Sequence, residues 1–388
     1  MATTSTMNFD FISAGRIIFG SGTLSRVADF DLLKKKRVFV FEGSPSVNSN
    51  RLHDLLKLRA IQFDTFSING EPALDSITTA IKSAKQAEVI VAMGGGSVID
   101  TGKAVSALLT NPGQVTDYLE VVGKGKPLIN PALPFIAIPT TSGTGSEVTR
   151  NAVIDVPAQQ VKVSLRHTYM LPTIALIDPE LTLSLPKNVT ATSGMDALTQ
   201  VIEPYVSNKS NIFIDALCRD AISKAAFALE RAFMDGLDLS AREYMSWVSL
   251  CGGLALANAG LGAVHGFAGP IGGMYHAPHG AICAKLLPSV VKANIDQCLL
   301  DNIDSVVNKY REIAYLVTNK ENAKEIDLID WLFYLIDELE IPPLSHWGIK
   351  KDDFPVLVQK AENSSSMKGN PIRLNTKTLT GILQESLY

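Results

Sequence analysis

Glu88-Val89-Ile90-Val91-Ala92-Met93-Gly94-Gly95-Gly96-Ser97-Val98-Ile99-Asp100-Thr101-Gly102-Lys103 is the stretch that decides the fold. Its first half is an apolar run of strand type, as expected of a strand covered on both faces of a parallel sheet. Three glycines end the strand, and a helix is expected to start near Ser97. Glycines let a phosphate approach the backbone, and a helix N-terminus offers free N–H groups and the positive end of its dipole. Two better-known phosphate motifs are excluded. GxGxxG is absent, and Walker A fails because Ser97 stands at its first glycine and Ala104 at its Ser/Thr. Such a loop can also be purely structural, so its flanks matter.

Upstream, Phe11 to Gly22 reads as an edge strand and turn. Arg37-Val38-Phe39-Val40-Phe41 is a further apolar strand, ended by the turn Glu42-Gly43-Ser44-Pro45. A strand over Gln62–Ile68 and a helix over Thr78–Gln86 follow. Downstream, the strand Phe135–Ile138 runs into Pro139-Thr140-Thr141-Ser142-Gly143-Thr144-Gly145-Ser146-Glu147-Val148-Thr149, a loop of small residues and hydroxyls. It leaves the sheet at its carboxyl edge, where open α/β sheets bind ligands, and its hydroxyls and amides suit a diphosphate or a ribose. Lys162 lies on an expected strand Val161–Leu165. Strands alternating with helices imply a parallel sheet with helices on both faces. After Ile174–Asp178 and Leu185-Pro186-Lys187 the pattern turns helical, over Ile212–Arg231, Arg242–Ala259, Asn302–Thr318 and Glu325–Leu339. This places an α/β domain at 1–186 and a helical domain at 187–388.

The helical half holds a second candidate site. It opens with Ser193-Gly194-Met195-Asp196-Ala197-Leu198-Thr199-Gln200 and contains His265, His276 and His279, three of only six histidines in the chain. Asp196 and Gln200, four apart, share one helix face. Two imidazoles converging on that carboxylate would hold a divalent metal; ordinary buried histidines are the alternative. Composition narrows the partners. Hydrophobic residues make up 46% and charged residues 19% of 388, so the chain is a folded globular protein. A net charge of −4 without a basic run excludes nucleic acid and anionic membrane as expected partners. The four cysteines, Cys218, Cys251, Cys283 and Cys298, lack CxxC spacing and read as reduced thiols of a cytoplasmic protein. Met1 to Asp10 lacks the apolar core of a signal peptide. Ser246 to Ala284 carries no Asp, Glu, Lys or Arg, yet Asn258, His265, Pro270 and its many Gly and Ala residues point to close-packed buried helices rather than a membrane span.

Taken in order, these motifs resemble the iron-containing (group III) alcohol dehydrogenase family, in the superfamily that includes glycerol dehydrogenase and dehydroquinate synthase. The matching stretches are Phe19-Gly20-Ser21-Gly22, Gly94–Ser97 with Asp100 and Lys103, Pro139–Glu147, Gly194–Leu198, and His265 through Pro278-His279-Gly280. The resemblance implies a Rossmann-like N-terminal domain and an all-α C-terminal domain, with the active site between them. It implies hydride transfer between a nicotinamide and a metal-bound alcohol or carbonyl, hence an NAD(P)-linked alcohol dehydrogenase or aldehyde reductase. Gly95, Gly96 and Ser97 would cradle the pyrophosphate, with Asp100 in the same motif. Thr140, Thr141, Thr144 and Thr149 would line the cofactor, and Lys162 would lie near the nicotinamide ribose. A homodimer or larger homo-oligomer is implied as well. Glu42, at the end of the second strand, is placed to accept ribose hydroxyls and to repel the extra phosphate of NADP, which favours NAD and leaves NADP possible; Gly43 is the competing position.

The metal site departs from the family pattern of one Asp and three His. Asp196, His265 and His279 match, but the remaining histidine is Gln200, and a further family histidine is Gly269. One carboxylate and two imidazoles still suit Fe²⁺ or Zn²⁺, with Gln200 as a weak ligand or a water holder. His276, three residues before His279, could take the proton route that the Gly269 position would serve; simple lining of the cleft is the alternative. Two other readings remain: a metal-free reductase of the maleylacetate reductase kind, against which Asp196 stands, and a non-catalytic nucleotide-binding protein on the same scaffold.

Overall fold

A computed structural model of the chain describes residues 8–44 and 46–388; Pro45, in the expected Glu42–Pro45 turn, and residues 1–7 of the polar start lie outside the described residues. Among the described residues eight strands form: β1 Ile17–Phe19, β2 Val38–Glu42, β3 Phe63–Ser67, β4 Val89–Gly94, β5 Phe135–Pro139, β6 Asn151–Val156, β7 Val161–Arg166 and β8 Ile174–Ile177. Six build one parallel sheet in the order β1-β8-β5-β4-β2-β3. Every residue of β2, β4 and β5 is buried, as their unbroken apolar runs require. The helices of this half are α1 Val47–Leu58, α2 Leu74–Ser83, α3 Gly96–Leu108 and the short α4 Val115–Tyr118.

Two readings of the sequence need correction. The strand expected at Val161–Leu165 is β7, but it pairs antiparallel with β6 in a separate two-stranded ribbon, Asp155 facing Lys162. α2 starts at Leu74 rather than Thr78, because the Ser76 hydroxyl accepts from Ala73 N at 2.9 Å and closes the first turn early.

The strand order carries a switch point. The chain runs outward from β2 to β3, then returns to place β4 on the other side of β2. A crevice therefore opens beyond the carboxyl ends of β2 and β4, where Glu42 lies in register with Met93. α3 starts there.

The second half is helical: α5 Lys187–Val206, α6 Ile212–Met234, α7 Leu239–Ala259, α8 Ala263–Tyr275, α9 His279–Leu300, α10 Asp304–Thr318, α11 Glu325–Glu338, α12 Phe354–Glu362 and α13 Thr376–Ser386. One continuous apolar cluster joins them. The charge-free stretch 246–284 covers most of α7, all of α8 and the start of α9. Among the described residues no single helix is long and apolar enough to cross a membrane. α7 and α8 pass such a test only together, bent by 99°.

The two halves meet at unusually short backbone distances. Ser142 and Ser246 share a hydrogen bond of 3.0 Å. Gly145 has φ +57°, and a Cβ there would come within 2.5 Å of the Gly253 backbone on α7. Only glycine at both positions permits this approach. An apolar seam of Ala14, Val148, Ala175, Ile177, Leu250 and Leu254 surrounds it.

Buried charge lies behind the hydroxyl loop. Lys103, fully buried on α3, donates to Thr149 Oγ1 at 2.9 Å and Asn151 O at 2.6 Å, and its Nζ lies 3.2 Å from Asp100 Oδ1. Burial pulls its ammonium below the ordinary lysine range, against the opposing pull of Asp100 and Glu147. Burial also pushes the Glu147 carboxyl up to about 7, opposed by a backbone hydrogen bond and by Lys103. Because that value exceeds the ordinary 4.5, the folded chain binds more protons in this window, and stability from this group falls as pH rises from 4.5 to about 7. Glu147→Gln should therefore gain stability over wild type, with a gain about 2 kcal/mol larger at about pH 8 than at about pH 5 in urea unfolding. A pH-independent difference would show that Glu147 titrates normally.

Candidate metal centre and cofactor cleft

α5 is the element that carries the site. Its residues from Gly194 to Val206 are buried, so Asp196 sits in the helical core at 2% exposure. α9 is pressed against it: a Cβ on Gly280 would lie 2.3 Å from Thr192 O. This contact sets His279, the first residue of α9, over Asp196. α8 supplies His265 from the other side.

The three residues converge. Asp196 Oδ1 is 3.4 Å from His265 Nε2 and 3.6 Å from His279 Nε2. It is buried and, among the described residues, accepts no well-aligned hydrogen bond. A carboxylate oxygen buried in that state is costly unless a cation faces it. The donor set thus fits a divalent ion, with Asp196, His265 and His279 as the residues that would hold it. His265 is oriented from behind: its Nδ1 lies 2.6 Å from Glu203 Oε2, while Glu203 Oε1 accepts from Val264 N at 2.7 Å. Carboxylate, imidazole and cation site form the usual relay that fixes a ligand's tautomer and leaves Nε2 free.

Charge is balanced within the cluster. Burial alone would push the Asp196 carboxyl up, but His279, His265 and Cys283 hold it below the ordinary carboxylate value. For His265, burial works against the charged form, yet Cys283, Glu203 and Asp196 raise it well above the usual range. His279 rises to about 8 for the same reason, through Cys283 and Asp196 against burial.

Gln200 is buried one turn after Asp196; its Nε2 donates to Gly143 O at 3.1 Å, and its Oε1 has no partner among the described residues. Its amide thus ties the hydroxyl loop to α5. His276 caps α8 in a left-handed conformation, φ +52°, and is exposed. It is not among the converging donors. Gly269 leaves a gap: a Cβ there would meet nothing within 4 Å.

At the sheet edge, α3 begins at Gly96 with no side-chain cap, so its first N–H groups stay available. The hydroxyl loop faces it. A Cβ on Gly95 would touch Thr141 at 3.4 Å, and one on Gly96 would clash with Thr144 at 2.9 Å. Thr140, Thr141, Thr144 and Ser97 are half-buried and line this crevice. Asp100 and Thr149 are committed inside the protein. Asp100 accepts from the Ser146 hydroxyl and from Val153 N at 2.8 Å, and Thr149 accepts from Lys103. They brace the loops that line the crevice. Lys162 Nζ lies 3.3 Å from Glu71 Oε1 and packs against Gly272 of α8. Glu42 is 5% exposed, its Oε2 3.1 Å from His53 Nε2 but poorly aligned for a hydrogen bond.

Three residues escaped the sequence reading. Cys283 belongs to the cluster, its ligating atom within 4.8 Å of those of Asp196, His265 and His279; the signal was its place four residues after His279 on a helix. Glu203, seven after Asp196, shared the same face of α5. His53 carried no local signal.

Comparison with known proteins gives a uniform result. The model of the iron-containing alcohol dehydrogenases matches residues 14–179, and that of the Fe-containing alcohol dehydrogenase family C-terminal domain matches 190–387. Alcohol dehydrogenase 4 of Saccharomyces cerevisiae is 33% identical over 377 residues, 95% of this chain and 96% of its own length. The 1,3-propanediol dehydrogenase of Citrobacter freundii is 31% identical over 97% of this chain and 98% of its own. Among solved structures, a 1,3-propanediol oxidoreductase superposes with a TM-score of 0.90 at 30% identity, covering 98% of this chain and 100% of the other.

Glu203→Gln keeps the acceptor for Val264 N but removes the charge behind His265. It should weaken Zn²⁺ binding by about tenfold or more in chelator competition. Unchanged affinity would show that His265 does not face the ion through Nε2.

Proposed function

The chain belongs to the iron-containing alcohol dehydrogenase family, and from that premise we propose how its own residues divide the work. It is an NAD(P)-linked oxidoreductase acting on CH–OH groups. The observation that carries the reading is the buried, unpartnered Asp196 Oδ1 facing two imidazoles at the seam where the sheet's ligand edge meets the helical half.

A bound divalent ion supplies Lewis acidity toward an alcohol or carbonyl oxygen, and a nicotinamide supplies or takes the hydride. Everything else is the protein's task. Asp196, His265 and His279 hold the cation site, and Glu203 fixes the ring of His265. Gly95, Gly96 and Ser97 present backbone N–H groups to the pyrophosphate at the start of α3. Thr140, Thr141 and Thr144 hold the dinucleotide from the facing loop, and Lys162 stands on the ribbon packed against α8. Gln200 pins Gly143, keeping that loop at a fixed distance from the cation site. The exposed His276 exchanges the proton with solvent. The gap at Gly269 suits substrates bulkier than the smallest primary alcohols. A homodimer or larger assembly working in the cytoplasm completes the proposal.

Glu42 closes the crevice beyond β2 with a buried carboxylate, which disfavours a further phosphate on the adenosine ribose. Metal-loaded protein should therefore oxidise NADH with aldehydes at a higher kcat/KM than NADPH. Glu42→Gly should narrow the difference. Removal of metal by chelation should abolish turnover, and re-addition of Fe²⁺ or Zn²⁺ should restore it. Full activity after exhaustive chelation would defeat the metal-dependent reading, and a wild-type preference for NADPH would remove Glu42 from the ribose.

A further inference from the structure

We infer that Cys283 is a ligand of the cation site, occupying as a thiolate the fourth position that Gln200 leaves without an imidazole. This rests on the metal-dependent reading above and deepens it. Cys283 lies one turn after His279 on α9 and is fully buried. Its Sγ is 3.6 Å from His279 Nε2 and 3.8 Å from His265 Nε2. Those nitrogens are 3.6 and 3.4 Å from Asp196 Oδ1. All four ligand atoms lie within 4.8 Å of one another.

These separations are what a tetrahedral ion demands. With bonds of about 2.0–2.1 Å to nitrogen and oxygen and about 2.3 Å to sulfur, ligand atoms stand about 3.3–3.6 Å apart. Four donors from three helices, two of them one turn apart on α9, lie at or near this spacing: four of their separations are 3.4–3.8 Å and none exceeds 4.8 Å. Asp196 Oδ1 is the independent witness. It is buried and, among the described residues, without an aligned hydrogen-bond donor, and it lies within 4.8 Å of the sulfur.

Gln200 is the rival for the position. Its Oε1 is buried and unpartnered, but it offers a neutral oxygen on an amide whose nitrogen is held by Gly143 O. A thiolate is an anionic, softer donor, and it suits Zn²⁺ better than an amide does. Ligation requires the thiol to give up its proton to solvent as the ion binds, so the balance is one S–H bond broken and one sulfur–metal bond formed. The other three cysteines are buried outside the cluster and cannot substitute.

Cobalt provides the test, because a thiolate bound to Co²⁺ gives a near-ultraviolet charge-transfer band that oxygen and nitrogen donors do not. Apo-protein titrated anaerobically with Co²⁺ should show this band at one equivalent. Cys283→Ser should lose it and bind Co²⁺ at least about tenfold more weakly, with an unchanged circular dichroism spectrum. Gln200→Leu should keep it. Stoichiometric Co²⁺ binding by the wild type without the band overturns the inference and leaves the dehydrogenase reading standing. The same holds if the band survives Cys283→Ser, or if Gln200→Leu rather than Cys283→Ser loses affinity. Failure of the wild type to bind Co²⁺, Zn²⁺ or Fe²⁺ at all overturns both. Should Cys283→Ser not fold, the wild-type spectrum alone still decides.

Discussion

The contact between the Gly145 and Gly253 backbones holds the rest of the site in place. A Cβ on Gly253 would lie 2.3 Å from Gly145 O, so any larger residue would push the hydroxyl loop off α7. Such overpacking typically costs about 1–3 kcal/mol and shifts backbone. With the two glycines in contact, the loop that follows β5 is clamped between α3 on one side and α5 and α7 on the other. Gln200 and Ser246 add hydrogen bonds to the same loop. The crevice at the sheet edge and the cluster around Asp196 are thereby linked through one loop.

Polar burial is concentrated around that clamp, and each instance has a different resolution. Lys103 is satisfied by carbonyls, a hydroxyl and Asp100, and its cost is met internally. Glu147 is relieved by taking up a proton near neutrality. Asp196 has neither remedy in full: its neighbours keep it ionised, while one oxygen lacks an aligned donor. A cation facing that oxygen would balance it. Departures from the family pattern act on the same balance. The Gln200 amide ties Gly143 to α5, and a thiol one turn after His279 lies within the same cluster.

Much was legible in the chain because it is encoded locally. The runs at Val38–Phe41, Val89–Met93 and Phe135–Ile138 are too uniformly apolar for anything but doubly covered strands, and β2, β4 and β5 are buried throughout. The glycine loop, the hydroxyl loop and the order of motifs from Phe19 to Gly280 identified the family. Asp196, His265 and His279 were nameable from spacing and residue chemistry. The partners of Asp100 and Thr149 were not legible, since a motif does not say which protein groups a polar side chain meets.

By itself, then, the sequence determined the layer architecture, the family and three of the residues that converge around Asp196, since periodicity and local motifs depend on neighbours along the chain. Only the tertiary structure decided that β7 leaves the main sheet, that Glu42 stands against His53, and that Glu203 orients His265. It alone brought Cys283 to the cluster and turned Gln200 toward Gly143. These outcomes depend on how closely helices approach, which Gly145, Gly253 and Gly280 set through contacts between residues far apart in sequence. Packing distance has no period, and so it cannot be read along a chain.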